Sequence, residues 1–160
     1  MNNLHFEVAF SYCYENMMYK FFARLDKLVS FLLLFSAIGV VSNVSNWLSG
    51  TVIAALTAFQ FVYQPASRAQ QAKTQAKFYL QQFRKRESVS DDDLRSVLDR
   101  GTAADSDTVD LLHHPARLAA LALLGYPSNN CFRDIDRQRQ MTFFEQLAVR
   151  FAGGWPEFQV

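Results

Sequence analysis

The sequence predicts an all-α protein built around a membrane helical hairpin, and three observations lead to this fold class. Lys, Arg, Asp and Glu are absent between Leu28 and Ser67, although the chain holds 16 basic and 15 acidic residues. Apolar residues recur at three- and four-residue spacing outside this gap, which is typical of helices. Basic residues stand on both flanks of the gap, whereas its centre carries no charge.

Length and composition indicate one folded domain. The chain has 160 residues, of which 50% are hydrophobic and 14% aromatic, so it is not a disordered sequence. A net charge of +1 argues against a nucleic-acid partner. Cys13 and Cys131 are far apart and belong to no Cys/His cluster, so we predict no metal site and no cofactor.

Residues 1–27 are predicted to form an amphipathic helix. Phe10, Tyr14, Met17, Phe21 and Leu25 share the helical period. The first residues also alternate as in a strand, but the longer period continues into the apolar region, and this favours a helix.

Residues 28–64 are predicted to form a two-helix transmembrane hairpin. Its arms, Leu28–Val44 and Trp47–Tyr63, would each be about 25 Å long as helices, at the short end of what crosses a bilayer. Asn43, Ser45 and Asn46 supply a polar turn, and Pro65 follows the second arm.

Two segments are predicted to follow the hairpin. Residues 65–87 form a basic juxtamembrane helix, and residues 88–160 a small helical cytoplasmic tail. In the tail, Ser90 is the expected N-cap of one helix, which Gly101 closes. Pro115 stands near the first turn of the next helix, and Gly125 follows its end. The last helix is expected between Phe132 and Phe151.

The flanking charges predict an orientation. A cytoplasmic excess of Lys and Arg would place both termini in the cytoplasm of a bacterial inner membrane. Trp47 and Tyr63, at the two ends of the second arm, are the expected anchors at the membrane interfaces. The basic flank consists of Lys20, Arg24, Lys27, Arg68, Lys73, Lys77, Arg84, Lys85 and Arg86.

The polar residues of the hairpin keep an alternative open. Ser30, Ser36, Thr51, Thr57 and Gln60 interrupt the arms. Two buried helices inside a larger bundle would show the same pattern. Under this alternative the chain is a soluble all-helical structural or interaction protein with residues 28–63 as its buried core.

The second arm also contains the candidate site residues. Gly50, Ala54 and Ala58 recur at four-residue spacing, a ridge of small residues that lets helix backbones approach closely. The ridge fits either packing against the first arm or contact with another copy of the chain. Thr57 and Gln60 are candidates for lining a pore, with helix packing as their alternative role.

No pattern in the sequence predicts catalysis. His113 and His114 are adjacent, so on a helix they point in different directions and do not form an i, i+4 metal pair. His114 is expected to act as a cap before Pro115. Asp91, Asp92 and Asp93 suit the first turn of a helix, where the dipole favours anions. We therefore predict that the chain is not an enzyme.

The layout resembles the SLATT domains, which are two-transmembrane effector modules of bacterial conflict systems. The resemblance covers roughly residues 7–83. It depends on the order of the helices and on the spacing of Ala72, Ala76 and Tyr79 in the helix after the second arm. It implies a homo-oligomer that permeabilises the membrane when a sensor or regulatory protein fires.

Two further functional hypotheses stand beside this one. The hairpin also fits a phage protein of the holin-like or superinfection-exclusion kind, which needs no sensor. The soluble interaction protein is the other. The partners expected from the main hypothesis are a lipid bilayer, further copies of the chain and a sensor.

Overall fold

The computed structural model describes residues 3–41, 46–85, 90–102, 109–125 and 142–153. These residues form six helices: α1 (Asn3–Val41), α2 (Asn46–Tyr63), α3 (Pro65–Lys85), α4 (Asp91–Thr102), α5 (Asp110–Leu123) and α6 (Phe143–Phe151). No strand occurs in these ranges, which confirms the all-α prediction and the helical start of the chain.

Helix α1 is continuous from Asn3 to Val41, so the predicted N-terminal helix and first arm are a single element of 39 residues. Only one residue, Gln64, separates α2 from α3. Its φ of 44° lies in the left-handed region, which ends a helix, and Pro65 then begins the next one. The chain therefore goes out along α1 and returns along α2 and α3.

The hydrophobic core lies along the N-terminal half of α1, where α3 and α5 pack against it. Helix α1 packs along α3, and α5 lies against α1 on another side. Met18, Phe22, Ala72, Leu112 and Ala120 belong to the main buried cluster. Small residues on α3 and α5 let these helices approach the large side chains of α1 closely, which is the efficient way to fill space between helices.

A second buried cluster fixes α4. Leu94 and Leu98 of α4 pack with Leu4, Val8 and Tyr79 from α1 and α3. Ser90 is the N-cap that the sequence predicts, because its Oγ accepts a hydrogen bond from the backbone nitrogen of Asp93 at 3.3 Å.

The membrane-hairpin prediction is corrected by the helices themselves. Among the described residues, none of the helices is both long enough and apolar enough to cross a membrane. The described apolar part of α1, from Leu28 to Val41, directly follows Arg24, Asp26 and Lys27, whereas a span needs about 20 predominantly apolar residues. Helix α2 has 18 residues, and they include Asn46 and Gln60.

The same finding corrects what depended on the hairpin. The predicted transmembrane and pore-forming character is wrong, because it requires membrane-spanning helices that the described residues do not contain. The predicted location in a bacterial inner membrane, with both termini cytoplasmic, is wrong for the same reason. The predicted turn at residues 43 and 45 lies outside the described residues.

Local details in the tail also differ from prediction. Pro115 lies inside α5, five residues after Asp110, rather than in the first turn. His114 therefore lies within the helix, and it does not act as a cap. Gly101 lies inside α4, whereas Gly125 follows α5 with a φ of 75°, as predicted. The predicted start of the last helix at Phe132 lies outside the described residues.

Candidate interaction surface

The upper parts of α1 and α2 pack against each other along a narrow seam. The half-buried residues of α2 include Ser49, Ile53, Leu56 and Gln60, whose spacing of four, three and four marks one helix face. Across the seam, the side-chain nitrogen Nε2 of Gln60 donates a hydrogen bond to Oγ of Ser30 at 3.3 Å. The polar residues of the arms thus belong partly to this seam.

The small-residue ridge lies outside the seam. Gly50, Ala54 and Ala58 are all exposed. A Cβ atom added at Gly50 would meet no heavy atom within 4 Å. Of the two roles that the sequence leaves open for this ridge, packing against the first arm does not occur in the single chain.

The outer side of α1 carries large side chains instead. Phe31, Leu34, Phe35 and Ile38 are exposed, and Phe31 and Phe35 stack with ring centroids 6.3 Å apart. The sequence predicts a lipid or buried-core environment for these residues, and none of them is among the predicted site residues. Their spacing of three and four residues was the signal for a continuous ridge.

The remaining residues singled out on α2 lie apart from one another. Thr57 is exposed, whereas Gln60 lies in the seam, so the two pore-lining candidates occupy different surfaces. Trp47 is 78% exposed at the start of α2, and Tyr63 at its end stacks on Phe59 with a centroid distance of 4.7 Å. Both aromatic rings extend the apolar surface of the hairpin.

Part of the basic flank serves the helical bundle. The guanidinium of Arg68 lies 5.9 Å from the ring centroid of Phe22, and Nζ of Lys73 lies 5.4 Å from that of Tyr19. Such cation–π contacts hold α3 onto α1. Arg24 Nη1 donates to the backbone oxygens of Arg150 and Phe151, each at 3.2 Å. Arg24 is nevertheless exposed, as are Lys20, Lys27, Lys77, Arg84 and Lys85, and Arg86 lies outside the described residues.

Burial raises the pKa of two side chains of α1, Tyr12 and Cys13. Burial raises the pKa of the Cys13 thiol to about 12, so this side chain stays protonated at neutral pH. Burial is also the main cause that raises the pKa of Tyr12. No group of three or more His, Cys, Asp or Glu residues within the described ranges could hold a metal ion.

The hairpin surface is therefore the most distinctive feature of the chain. It consists of the outer faces of α1 from Leu28 to Ile38 and of α2 from Trp47 to Tyr63, and below we call it the hairpin surface. Comparison of the chain with models of protein families, with curated proteins and with solved structures finds no match in any of the three. The resemblance to SLATT domains thus stays a prediction from the layout.

Proposed function

We propose that the chain is a non-enzymatic, all-helical interaction protein that assembles with further copies of itself through the hairpin surface. The observation that carries the proposal is the exposure of large apolar side chains in a segment without charge. The apolar side chains of residues 28–63 would then be buried between two or more copies of the chain rather than inside one copy. A pore-forming effector would need spans that the described helices do not provide.

The size of the surface supports an obligate contact. Five aromatic side chains, Phe31, Phe35, Trp47, Phe61 and Tyr63, are between 52% and 80% exposed. Since such rings bury about 150–250 Å² each, they alone leave on the order of 700 Å² uncovered. Each partner in a stable complex covers about 800 Å². The largest apolar patch on a typical monomer is about 300–600 Å².

The charge distribution favours a second copy as the partner. In a two-fold symmetric contact the same patch meets itself, so any charge on it would face a like charge. No Lys, Arg, Asp, Glu or His lies between Leu28 and Ser67, so this repulsion does not arise. A partner chosen by charge complementarity would find nothing to recognise on the hairpin surface.

The two limbs of the hairpin also complement each other in shape. Helix α1 presents the large residues Phe31, Phe35 and Ile38, and α2 presents the small residues Gly50, Ala54 and Ala58. A ridge of large side chains fits against a row of small ones when two helices pack. By symmetry, α1 of each chain would lie on α2 of the other, which produces a four-helix contact.

Light scattering coupled to size exclusion tests the proposal on the full chain. We expect a dimer or a larger closed oligomer at about 10 µM, since interfaces of standard size are commonly far tighter than this concentration. In Gly50→Leu the new Cβ atom meets no heavy atom of its own chain within 4 Å, whereas the leucine side chain would occupy the groove that the partner needs. We expect this variant to shift to the monomer.

Ala66→Leu is the matched control, because Ala66 is exposed on α3 and lies outside the hairpin surface. It should leave the oligomer intact. A wild-type chain that stays monomeric at 100 µM would overturn the proposal. An association that neither Gly50→Leu nor Phe35→Lys weakens would also overturn the proposal, because it would not depend on the hairpin surface.

A further inference from the structure

A cleft beside the middle of α1 lies where α6 meets α1 and α5. It has a volume of about 650 Å³, within the range of about 300–1,000 Å³ that is typical of small-molecule sites. Its walls include Phe21 from α1, Leu111 from α5, and Phe144 and Leu147 from α6. The last three side chains are exposed, so the apolar walls stand open to solvent.

The charged side chains that line this cleft are basic among the residues that the structure describes. In that part of the chain the lining includes Arg24 and Arg150 and no carboxylate. Arg24 uses Nη1 for the two backbone oxygens at the end of α6. A guanidinium has five N–H donors, so the Nε and Nη2 side of Arg24 keeps donors for an anion.

Lys20 adds a third cation close by. A Cβ atom built on Gly153 would lie 3.2 Å from Cδ of Lys20 and 3.5 Å from Nη2 of Arg24, which places both side chains against the turn after α6. The φ of Gly153 is 109°, a conformation open to glycine, and it keeps this approach free of a side chain. Cations therefore gather at one end of an apolar cleft.

We propose that this cleft binds a single-chain amphiphile with a carboxylate head group, such as a medium-chain fatty acid. The head group lies between Arg24 and Arg150, where charge-assisted hydrogen bonds favour a carboxylate. The tail covers Leu111, Phe144 and Leu147, which are otherwise exposed. This site is separate from the hairpin surface, and it does not require the chain to oligomerise.

Calorimetric titration of the full chain with decanoate tests the proposal, with decyltrimethylammonium as a probe of the same chain length and opposite charge. We expect decanoate to bind at least tenfold more tightly. The hairpin surface is uncharged and would take up both probes alike, so equal affinities would overturn the proposal.

Variants then locate the site. Arg150→Gln should weaken decanoate binding about tenfold, since it removes one of the two lining cations named above, and Arg95→Gln, at an exposed position of α4, should leave it unchanged. Leu147→Glu places a negative charge on an exposed wall, so it should abolish binding without disturbing the fold. Gly50→Leu should retain full affinity, which separates this site from oligomerisation. An unchanged affinity in both Arg150→Gln and Leu147→Glu would place the ligand elsewhere and overturn the proposal.

Discussion

The hydroxyl of Tyr14 in α1 lies 2.7 Å from the backbone nitrogen of Val109 and accepts its hydrogen bond. The same hydroxyl donates to the backbone oxygen of Val109 at 3.4 Å. Val109 is the N-cap residue of α5 and provides no side-chain cap of its own. A side chain of α1 thus satisfies backbone groups at the start of α5, which lies 95 positions later in the sequence.

Tyr14→Phe should lower the free energy of unfolding. The variant keeps the ring but leaves polar groups of Val109 without this partner, at a cost of about 1–2 kcal/mol. Urea denaturation followed by far-ultraviolet circular dichroism measures the loss. Tyr19→Phe is the matched control, because Tyr19 also lies on α1 outside the hairpin surface and contacts Lys73 through its ring, which phenylalanine keeps, so it should change the midpoint little. Equal midpoints for the two variants would contradict the role of Tyr14.

Gly50 and Gly101 both lie inside helices, and their replacement by alanine should change stability with opposite signs. A Cβ atom at Gly101 would lie 2.6 Å from Oη of Tyr79, whose side chain is fully buried. Overpacking of this kind costs about 1–3 kcal/mol, whereas alanine favours a helix over glycine by about 1 kcal/mol. Gly101→Ala should therefore destabilise the chain, and Gly50→Ala should stabilise it.

Thermal unfolding of both variants checks the signs. The double variant Gly101→Ala/Tyr79→Phe tests the cause, because it removes the atom nearest to the new Cβ. It should lose less stability than the sum of its single variants. A stabilising Gly101→Ala would show that α4 can move away from Tyr79 without cost.

Cys13 should make stability fall at alkaline pH. Its folded pKa of about 12 exceeds the ordinary thiol pKa of 9.0, so both states are protonated below pH 9 and its contribution is fully present there. Above pH 9 the unfolded chain releases the proton first, and stability decreases by up to about 1.4 kcal/mol per pH unit until the folded pKa is reached.

Parallel urea titrations of wild type and Cys13→Ala between pH 7 and pH 11 measure this effect as a difference, because the other titrating groups are common to both chains. The alanine variant should lose less stability over the range. Parallel curves would mean that the thiol of Cys13 titrates alike in both states.

Thr142→Ala should loosen α6 selectively. Oγ1 of Thr142 accepts from the backbone nitrogen of Glu145 at 3.3 Å, and a carboxylate oxygen of Glu145 accepts from the backbone nitrogen of Thr142 at 2.7 Å. Loss of such a capping box costs about 1 kcal/mol. Hydrogen exchange of the amides in Phe143–Phe151 should accelerate about fivefold.

Thr74→Ala provides the comparison for this experiment. Oγ1 of Thr74 bonds only its own helix, donating to the backbone oxygen of Gln70 at 3.0 Å. Its replacement should leave exchange in α6 unchanged. An equal acceleration in both variants would point to global rather than local opening.

Local sequence signals predicted the helices well and their environment poorly. Ser90 and Gly125 mark helix ends through short-range chemistry, and both act as expected. The capping box of Thr142 and Glu145 is a short-range signal of the same kind, and it marks the start of α6. Helix α5 begins five residues before Pro115. Tertiary packing rather than the proline sets this start, because Tyr14 provides the cap there.

The surroundings of the hairpin needed information that a single sequence does not carry. An uncharged helix has the same composition whether lipid, its own chain or another chain covers it. The position of Gly50 on the outer side of α2 depends on which face meets α1, and Ser49, Ile53 and Leu56 decide this through their packing. The cleft beside Arg24 and Arg150 joins residues 126 positions apart, beyond the reach of a periodicity argument.

Helix α1 enters both the buried bundle and the exposed hairpin without a break. At 39 residues it is about 58 Å long. No proline or glycine lies between Asn3 and Ile38, so this stretch of the helix resists bending. A change in tilt near the middle of α1, where the cleft lies, is consequently transmitted to the hairpin end as a lateral displacement that grows with distance. Any rearrangement around Phe21 and Arg24 would thus reorient Phe31 and Phe35, and with them the geometry in which two chains meet.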